Sequence, residues 1–249
     1  KCLHFLLDAR KGSFKIHDSL ALISAVKQGK EDCAQLLLTR GHANIEAKDA
    51  DGNTALIRAT LSEYTKCAQM LVNAKANIAA ANNAGLTALM VASFAGHAAQ
   101  VEQLVKSKVN INAKDKEGRT ALMWAAHGTN SDCVRVLIDA KAPLEAKDNK
   151  NNTALIGAAD YGRIECTRVL INAKAGLETR NGSGSTALLA AAENGQLGCI
   201  ELLIDAKANL RVRDNAGKTA LMKAAESRDI DSARLLVAAK APLDDEWSD

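Results

Sequence analysis

Residues 115–128 read DKEGRTALMWAAHG. Asp115 and Gly118 supply the residue types of a tight turn. Thr120 follows at a helix N-cap position, where its hydroxyl can accept from an unpaired backbone N–H of the next turn. The run ALMWAA then reads as a short helix with Leu122 and its alanines facing inward. Trp124 and His127 lie inside it, so the stretch is a candidate site, a contact surface, or one copy of something repeated.

The rest of the chain decides between these. Thr-Ala-Leu begins at Thr54, Thr87, Thr120, Thr153, Thr186 and Thr219, each interval being 33 residues. Residues 20–22, LAL, hold the same place 34 residues before Thr54, and the extra residue is His42. Cys33, Cys67, Cys133, Cys166 and Cys199 mark the same lattice. Cys2 opens CLHFLLDA, which matches CIELLIDA at 199–206, so the chain begins on the second half of a copy, as a piece cut from a longer protein would. The organisation is one repeat domain over 1–249: a half copy at 1–17, then copies at about 18–50, 51–83, 84–116, 117–149, 150–182, 183–215 and 216–249.

Each copy repeats one grammar. After the turn and first helix comes a break, glycine at Gly29, Gly96, Gly162 and Gly195. A second helix follows, such as SDCVRVLIDA with Asp132 near its positive end, and an apolar residue such as Ile111 or Leu144 closes the copy in an extended link. A helix pair this short cannot bury its own apolar face, so the copies must stack.

The pattern resembles the ankyrin repeat across essentially the whole chain. The 33-residue period, the D-x-x-G-x-T turn and the T-x-L helix start carry the likeness, as in Asp115, Gly118, Thr120 and Leu122. The resemblance implies an all-α solenoid of stacked helix-turn-helix units with short hairpin-like turns, and a function in protein–protein contact. Two departures matter. The family's T-P-L-H has Pro after Thr and His after Leu, where this chain has residues such as Ala121 and Met123. Apolar packing is expected to replace the inter-loop hydrogen bonds that the family's histidine makes. The family's glycine after the second helix is replaced by Lys75, Lys108, Lys141, Lys174, Lys207 and Lys240.

Composition agrees. Apolar residues are 47% but aromatics only 3%, so the core must be Leu, Ile, Val and Ala, which favours closely packed helices. Charged residues are 24% with a net charge of +3, too balanced to point to nucleic acid. No apolar run reaches the length of a membrane span, and no signal peptide opens the sequence.

Reactive chemistry finds no footing. There is no His-Glu-x-x-His pair. Gly182-Ser-Gly184-Ser-Thr-Ala187 falls on a turn and helix start rather than after the strand of a βαβ unit. Gly217-Lys218-Thr219 mimics the end of a phosphate loop, but the earlier glycine it needs is Val212. Equivalent cysteines in stacked copies stand ~8–10 Å apart, beyond the ~7 Å of a disulfide and the reach of a shared zinc. They read as small buried apolar residues. The sequence therefore predicts no catalytic residue, no metal and no cofactor. Thiols in that number fit a cytoplasmic or nuclear setting.

Two surfaces remain. The lysine series predicts a ladder that serves an acidic partner, lipid or nucleic acid, or that simply caps helix C-termini, where the dipole favours a cation. The second explanation suffices, and Asp139 and Asp205 dilute the field. In the resembled family, partners contact turn tips and the exposed side of the first helices. At those registers stand Leu86, Phe94, Arg119, Trp124, His127, Lys150 and Tyr161. Aromatic residues flanked by Arg and Lys have the composition of an interface hot spot, although Trp124 also suits packing between helices. The reading is a monomeric, non-enzymatic scaffold or adaptor. It binds a protein or peptide on the concave turn and first-helix surface, with no specific nucleic acid. The alternative is a structural spacer or regulatory segment, attached to a kinase or other catalytic domain outside these residues.

Irregularities are expected at three places. KGSFKIHDS at 11–19 fits no copy and predicts a non-standard link, and Trp247 covers the last copy or marks a cut end. The copy at 84–116 carries Gln100 in the cysteine register and Gln103 where others are apolar, and is expected to be the least stable internal copy.

Overall fold

Threonine caps decide where the first helix of each copy starts. The hydroxyls of Thr54, Thr87, Thr120, Thr153, Thr186 and Thr219 accept from the backbone N–H three residues on, at 3.3–3.5 Å. The computed structural model describes residues 14–39 and 43–242. Among them every regular element is a helix, and there are no strands. The helices are α1 (Phe14–Lys27), α2 (Glu31–Thr39), α3 (Ala55–Leu61), α4 (Thr65–Asn73), α5 (Ala88–Ala95), α6 (Ala98–Lys106), α7 (Ala121–His127), α8 (Ser131–Asp139), α9 (Ala154–Asp160), α10 (Ile164–Asn172), α11 (Ala187–Glu193), α12 (Leu197–Asp205), α13 (Ala220–Glu226) and α14 (Ile230–Ala238).

The chain divides into two units, Lys1–Lys116 and Glu117–Asp249. In the first, α1 packs on α2, α3 on α4 and α5 on α6, while first helices stack on first helices and second on second. The second unit repeats this with the pairs α7–α8, α9–α10, α11–α12 and α13–α14. The result is an all-α repeat solenoid, as the sequence predicts.

Small residues make the stacking close. Ala59, Ala92, Ala125, Ala158, Ala191 and Ala224 occupy one register of the first helices, and all are 0% exposed. Leu71, Leu104, Leu137, Leu170, Leu203 and Leu236 fill the matching layer of the second helices. Burying each such leucine contributes ~1.5–3 kcal/mol, against the first helix of its own copy and the second helices of its neighbours.

Three expectations need correction, and that for the lysines is borne out and extended. The copies are joined by hydrogen bonds as well as by apolar contact. Asn82 donates to Asn53 and Asn181 to Asn152, each at 2.9 Å. Glu145 and Glu178 accept from the backbone of Gly176 and Asn209 in the following copies, at 2.7 and 2.8 Å. His97 donates to the Thr60 carbonyl and Arg163 to that of His127, both at 2.9 Å. Polar side chains at other registers thus link the copies in place of the absent histidine.

The lysines do more than neutralise a dipole. Lys75, Lys108, Lys141, Lys174, Lys207 and Lys240 all adopt left-handed backbone, at φ 60–69°. Each forms the same C-terminal cap: Lys141 N donates to Ile138 O at 2.8 Å, and Ala142 N to Leu137 O at 2.9 Å. This is the double bond of a glycine-type helix end, made with lysine.

Cys33 is disulfide-bonded, against the expectation of a free thiol. Cys67, Cys133, Cys166 and Cys199 are free and buried. Burial pushes the Cys133 and Cys166 thiols up to about 11, which leaves them inert.

Finally, the segment expected to form an irregular link is helical from Phe14, and α1 is twice the length of most first helices. The expectations for 1–13, His42 and Trp247 fall outside the described residues.

Candidate functional site

The turns set the position of the site. In most copies an Asp or Asn side chain accepts from the backbone two and four residues on, as Asp148 does from Lys150 and Asn152, both at 2.8 Å. The turn's next corner takes positive φ. Gly118, at φ 77°, would drive a Cβ into the Asn149 side chain of the following copy. Tips of successive copies therefore lie close, and Asn149 N donates to Glu117 O at 2.9 Å.

Behind these tips in the second unit stand the residues picked out from the sequence. The Arg119 guanidinium lies 3.9 Å from the centre of the Trp124 ring. Trp124 meets the edge of His127 at 6.1 Å, and His127 meets Tyr161 edge-on at 4.4 Å. Trp124 and His127 are half-buried, whereas Tyr161 is 49% exposed. Such edge-to-face pairs are worth ~0.5–1.5 kcal/mol each, so the aromatic row is preorganised. Burial pushes the His127 imidazole below its ordinary value, and Arg163 and Arg119 push it in the same direction. At neutral pH it is therefore an uncharged aromatic surface.

The row walls a hollow of about 430 Å³, which also takes in Lys150, Asp148, Gly157, Asp160 and Glu193. Arg119, Trp124, His127, Lys150 and Tyr161 are thus brought together. Leu86 and Phe94 belong to the first unit, where Leu86 is half-buried and Phe94 stands 47% exposed near the end of α5.

Asp160 and Glu193, which stand in the helix-end register of His127, form the acidic side of the hollow. Asp160 accepts from Asn194 at 2.8 Å. Burial and the nearby Glu193 hold its carboxyl above the usual range, against the pull of Lys150. Gly157, in the middle of α9, has nothing within 4 Å of where a Cβ would be. Its signal lay in the register: the equivalent places carry Arg58, Val91, Trp124, Ala190 and Lys223.

This geometry offers a surface of mixed aromatic, basic and acidic chemistry. No group of three or more His, Cys, Asp or Glu among the described residues is placed to hold a metal.

The family model for ankyrin repeats (three copies) matches residues 1–82, 22–115, 89–181 and 172–245. The chain belongs to the ankyrin-repeat family. The crystal structure of the human ASB11 ankyrin repeat domain is similar at TM-score 0.77 and 25% identity, covering 89% of this chain and 98% of that one. The ankyrin repeat domain of Bcl-3, described as a unique member of the IkappaB protein family, matches at TM-score 0.75 and 25% identity, covering 86% and 97%. No curated protein matches the sequence. Ankyrin repeats are in general protein–protein interaction modules and typically non-catalytic. Among the described residues no helix is long and apolar enough to cross a membrane.

Proposed function

We propose that this ankyrin-repeat chain binds a partner protein or peptide without catalysing a reaction. The contact face comprises the turn tips and first helices of the second unit: Arg119, Trp124, His127, Lys150 and Tyr161. The observation that carries this reading is the aromatic row, in which exposed Tyr161 is braced at 4.4 Å by His127. Large rings held in place before binding lose little entropy on contact, and Trp, Tyr and Arg are the residues in which interface energy concentrates.

The test is capture of partners from native extract by the chain and by a Trp124→Ala/Tyr161→Ala variant of equal helicity, with Phe94→Ala made separately. Each truncation at a hot spot costs ~2 kcal/mol or more, so a partner held by the row is lost from the double variant. Identical partner lists for chain and variant would reject the row as the contact face.

A further inference from the structure

The repeats supply their own template for what the hollow over Gly157 holds. In two other copies, the residue nine positions after the turn aspartate is basic and folds back onto that aspartate. Arg58 pairs with Asp49 and, at 2.7 Å, with Asp51. Lys223 places its ammonium 3.0 Å from Asp214 and 2.8 Å from Glu193. Where the turn residue is the neutral Asn82 or Asn181, the position nine residues on is the uncharged Val91 or Ala190. In the copy of Asp115 the place is taken by Trp124, with the Arg119 guanidinium over its ring.

The copy of Asp148 breaks the pairing. Its turn acid is present and makes the same backbone bonds, and Asn152 donates its amide to Asp148 at 3.3 Å as Asn53 does to Asp49, but the ninth residue is Gly157, so no cation returns from that position. The space is open and forms part of the hollow. Asp160 and Glu193 add carboxylates to the wall, while Trp124 and Tyr161 supply ring surface along which an alkyl stem can lie. A second observation points the same way. Ser185 also lines the hollow, and its hydroxyl is buried with no hydrogen-bond partner. A buried polar atom left in that state costs ~1–3 kcal/mol, so this wall keeps a hydrogen-bonding group that no described residue of the chain satisfies.

We infer that the hollow over Gly157 receives a lysine side chain from the partner polypeptide. Its ammonium meets Asp148 as that of Lys223 meets Asp214, and its stem lies against the Trp124–Tyr161 wall. Lysine fits better than arginine for a reason written in the same register. The second carboxylate that receives the fork of Arg58 is Asp51, and its equivalent here is Lys150. A forked guanidinium would meet a like charge there, whereas a single ammonium need reach only one acid. This inference rests on the partner-binding reading and adds the chemistry of the side chain that enters.

The test is a titration of the isotope-labelled chain, followed by NMR, with acetyl-Gly-Lys-Gly-amide and with the same peptide carrying Arg, norleucine or Glu in place of Lys. The lysine peptide is expected to move the amides of Asp148, Gly157 and Tyr161. The arginine peptide should bind more weakly, and the norleucine and glutamate peptides should leave those amides unmoved. Asp148→Asn should weaken lysine binding roughly tenfold, the loss of one charge-assisted hydrogen bond. That variant keeps its turn, because asparagine builds it at Asn82 and Asn181. Gly157→Lys supplies the cation from within; it should abolish the lysine response and raise the melting temperature. Equal shifts from norleucine or glutamate, stronger binding of the arginine peptide, or no loss in Asp148→Asn would overturn the inference. If partner capture depends on Trp124 and Tyr161 while the lysine peptide leaves Gly157 unmoved, the contact face stands and the lysine assignment falls.

Discussion

The amide of Lys174 donates to the carbonyl of Ile171 at 2.9 Å while Lys174 itself sits at φ 68°. A cap that glycine makes without steric cost is here made by a residue with a Cβ, at ~1–2 kcal/mol. Glycine's greater freedom in the unfolded chain offsets ~0.5–1 kcal/mol of that. Lys174→Gly and Lys141→Gly are therefore each expected to stabilise the protein, by roughly 0.5–1 kcal/mol, and to raise the melting temperature by about 2 °C. Lys174→Ala keeps the Cβ and should not. An equal gain from alanine would mean that charge, not backbone geometry, sets the effect.

Gln100 is 1% exposed, and neither its amide nitrogen nor its amide oxygen has a hydrogen-bond partner. At the same register Cys67, Cys133, Cys166 and Cys199 are buried without such a demand. Replacing Gln100 with leucine keeps the volume and removes the amide, so a gain of ~1–3 kcal/mol is expected. It would appear as a higher denaturant midpoint with an unchanged slope. A lower midpoint would show that an ordered water already satisfies the amide.

Asp214 and Lys223 are each only 7% exposed on their side chains. Burial alone would raise the Asp214 carboxyl, but hydrogen bonds from Lys218 and Lys223 outweigh it and hold the group below its ordinary 3.8. A carboxylate with a lowered folded value binds fewer protons folded than unfolded just below pH 4, so its contribution is complete above that range and lost on acidification. Asp214→Asn should cost ~1–3 kcal/mol at pH 7, with the turn intact as at Asn181. The gap to the unaltered chain should close as pH falls through the depressed value, because the protonated acid resembles the amide. Urea midpoints at a series of pH values would decide it, and a gap that ignores pH would sink the ion-pair account.

How far sequence reached depends on what each residue signals by itself. Thr120, Leu122 and Ala125 fix a cap, a core position and a close approach through their own chemistry, so a 33-residue register made the solenoid legible. The bonds joining copies were not, because Asn181 to Asn152 or Glu145 to Gly176 is a property of pairs that meet only after stacking. The left-handed lysines were hidden by the opposite cause: Lys141 suits a helix end by charge, and charge concealed its backbone. For the site, rings and cations at exposed registers led to Arg119, Trp124, His127, Lys150 and Tyr161. A hollow, however, is made by a missing side chain. Gly157 reads as a weak helix residue until it is compared with Arg58 and Lys223.

His127 offers a direct check on the electrostatics of the aromatic row. Burial lowers its pKa first, and the cations of Arg163 and Arg119 lower it further. Between the depressed folded value and the ordinary 6.5 the unfolded chain takes up the proton and the folded chain does not. Stability from this residue is thus complete above about pH 6.5 and declines as pH falls toward the folded value. The imidazole ring protons should titrate by NMR with a midpoint under 6.5. Arg163→Gln should move that midpoint upward without dismantling the link to the preceding copy, since Gln196 makes the equivalent bond to the Asp160 carbonyl at 3.3 Å. Adding Arg119→Met should move it further, and burial alone should keep it from reaching the free value. A midpoint unchanged by both substitutions would assign the shift wholly to desolvation and remove the two arginines from the account of the row.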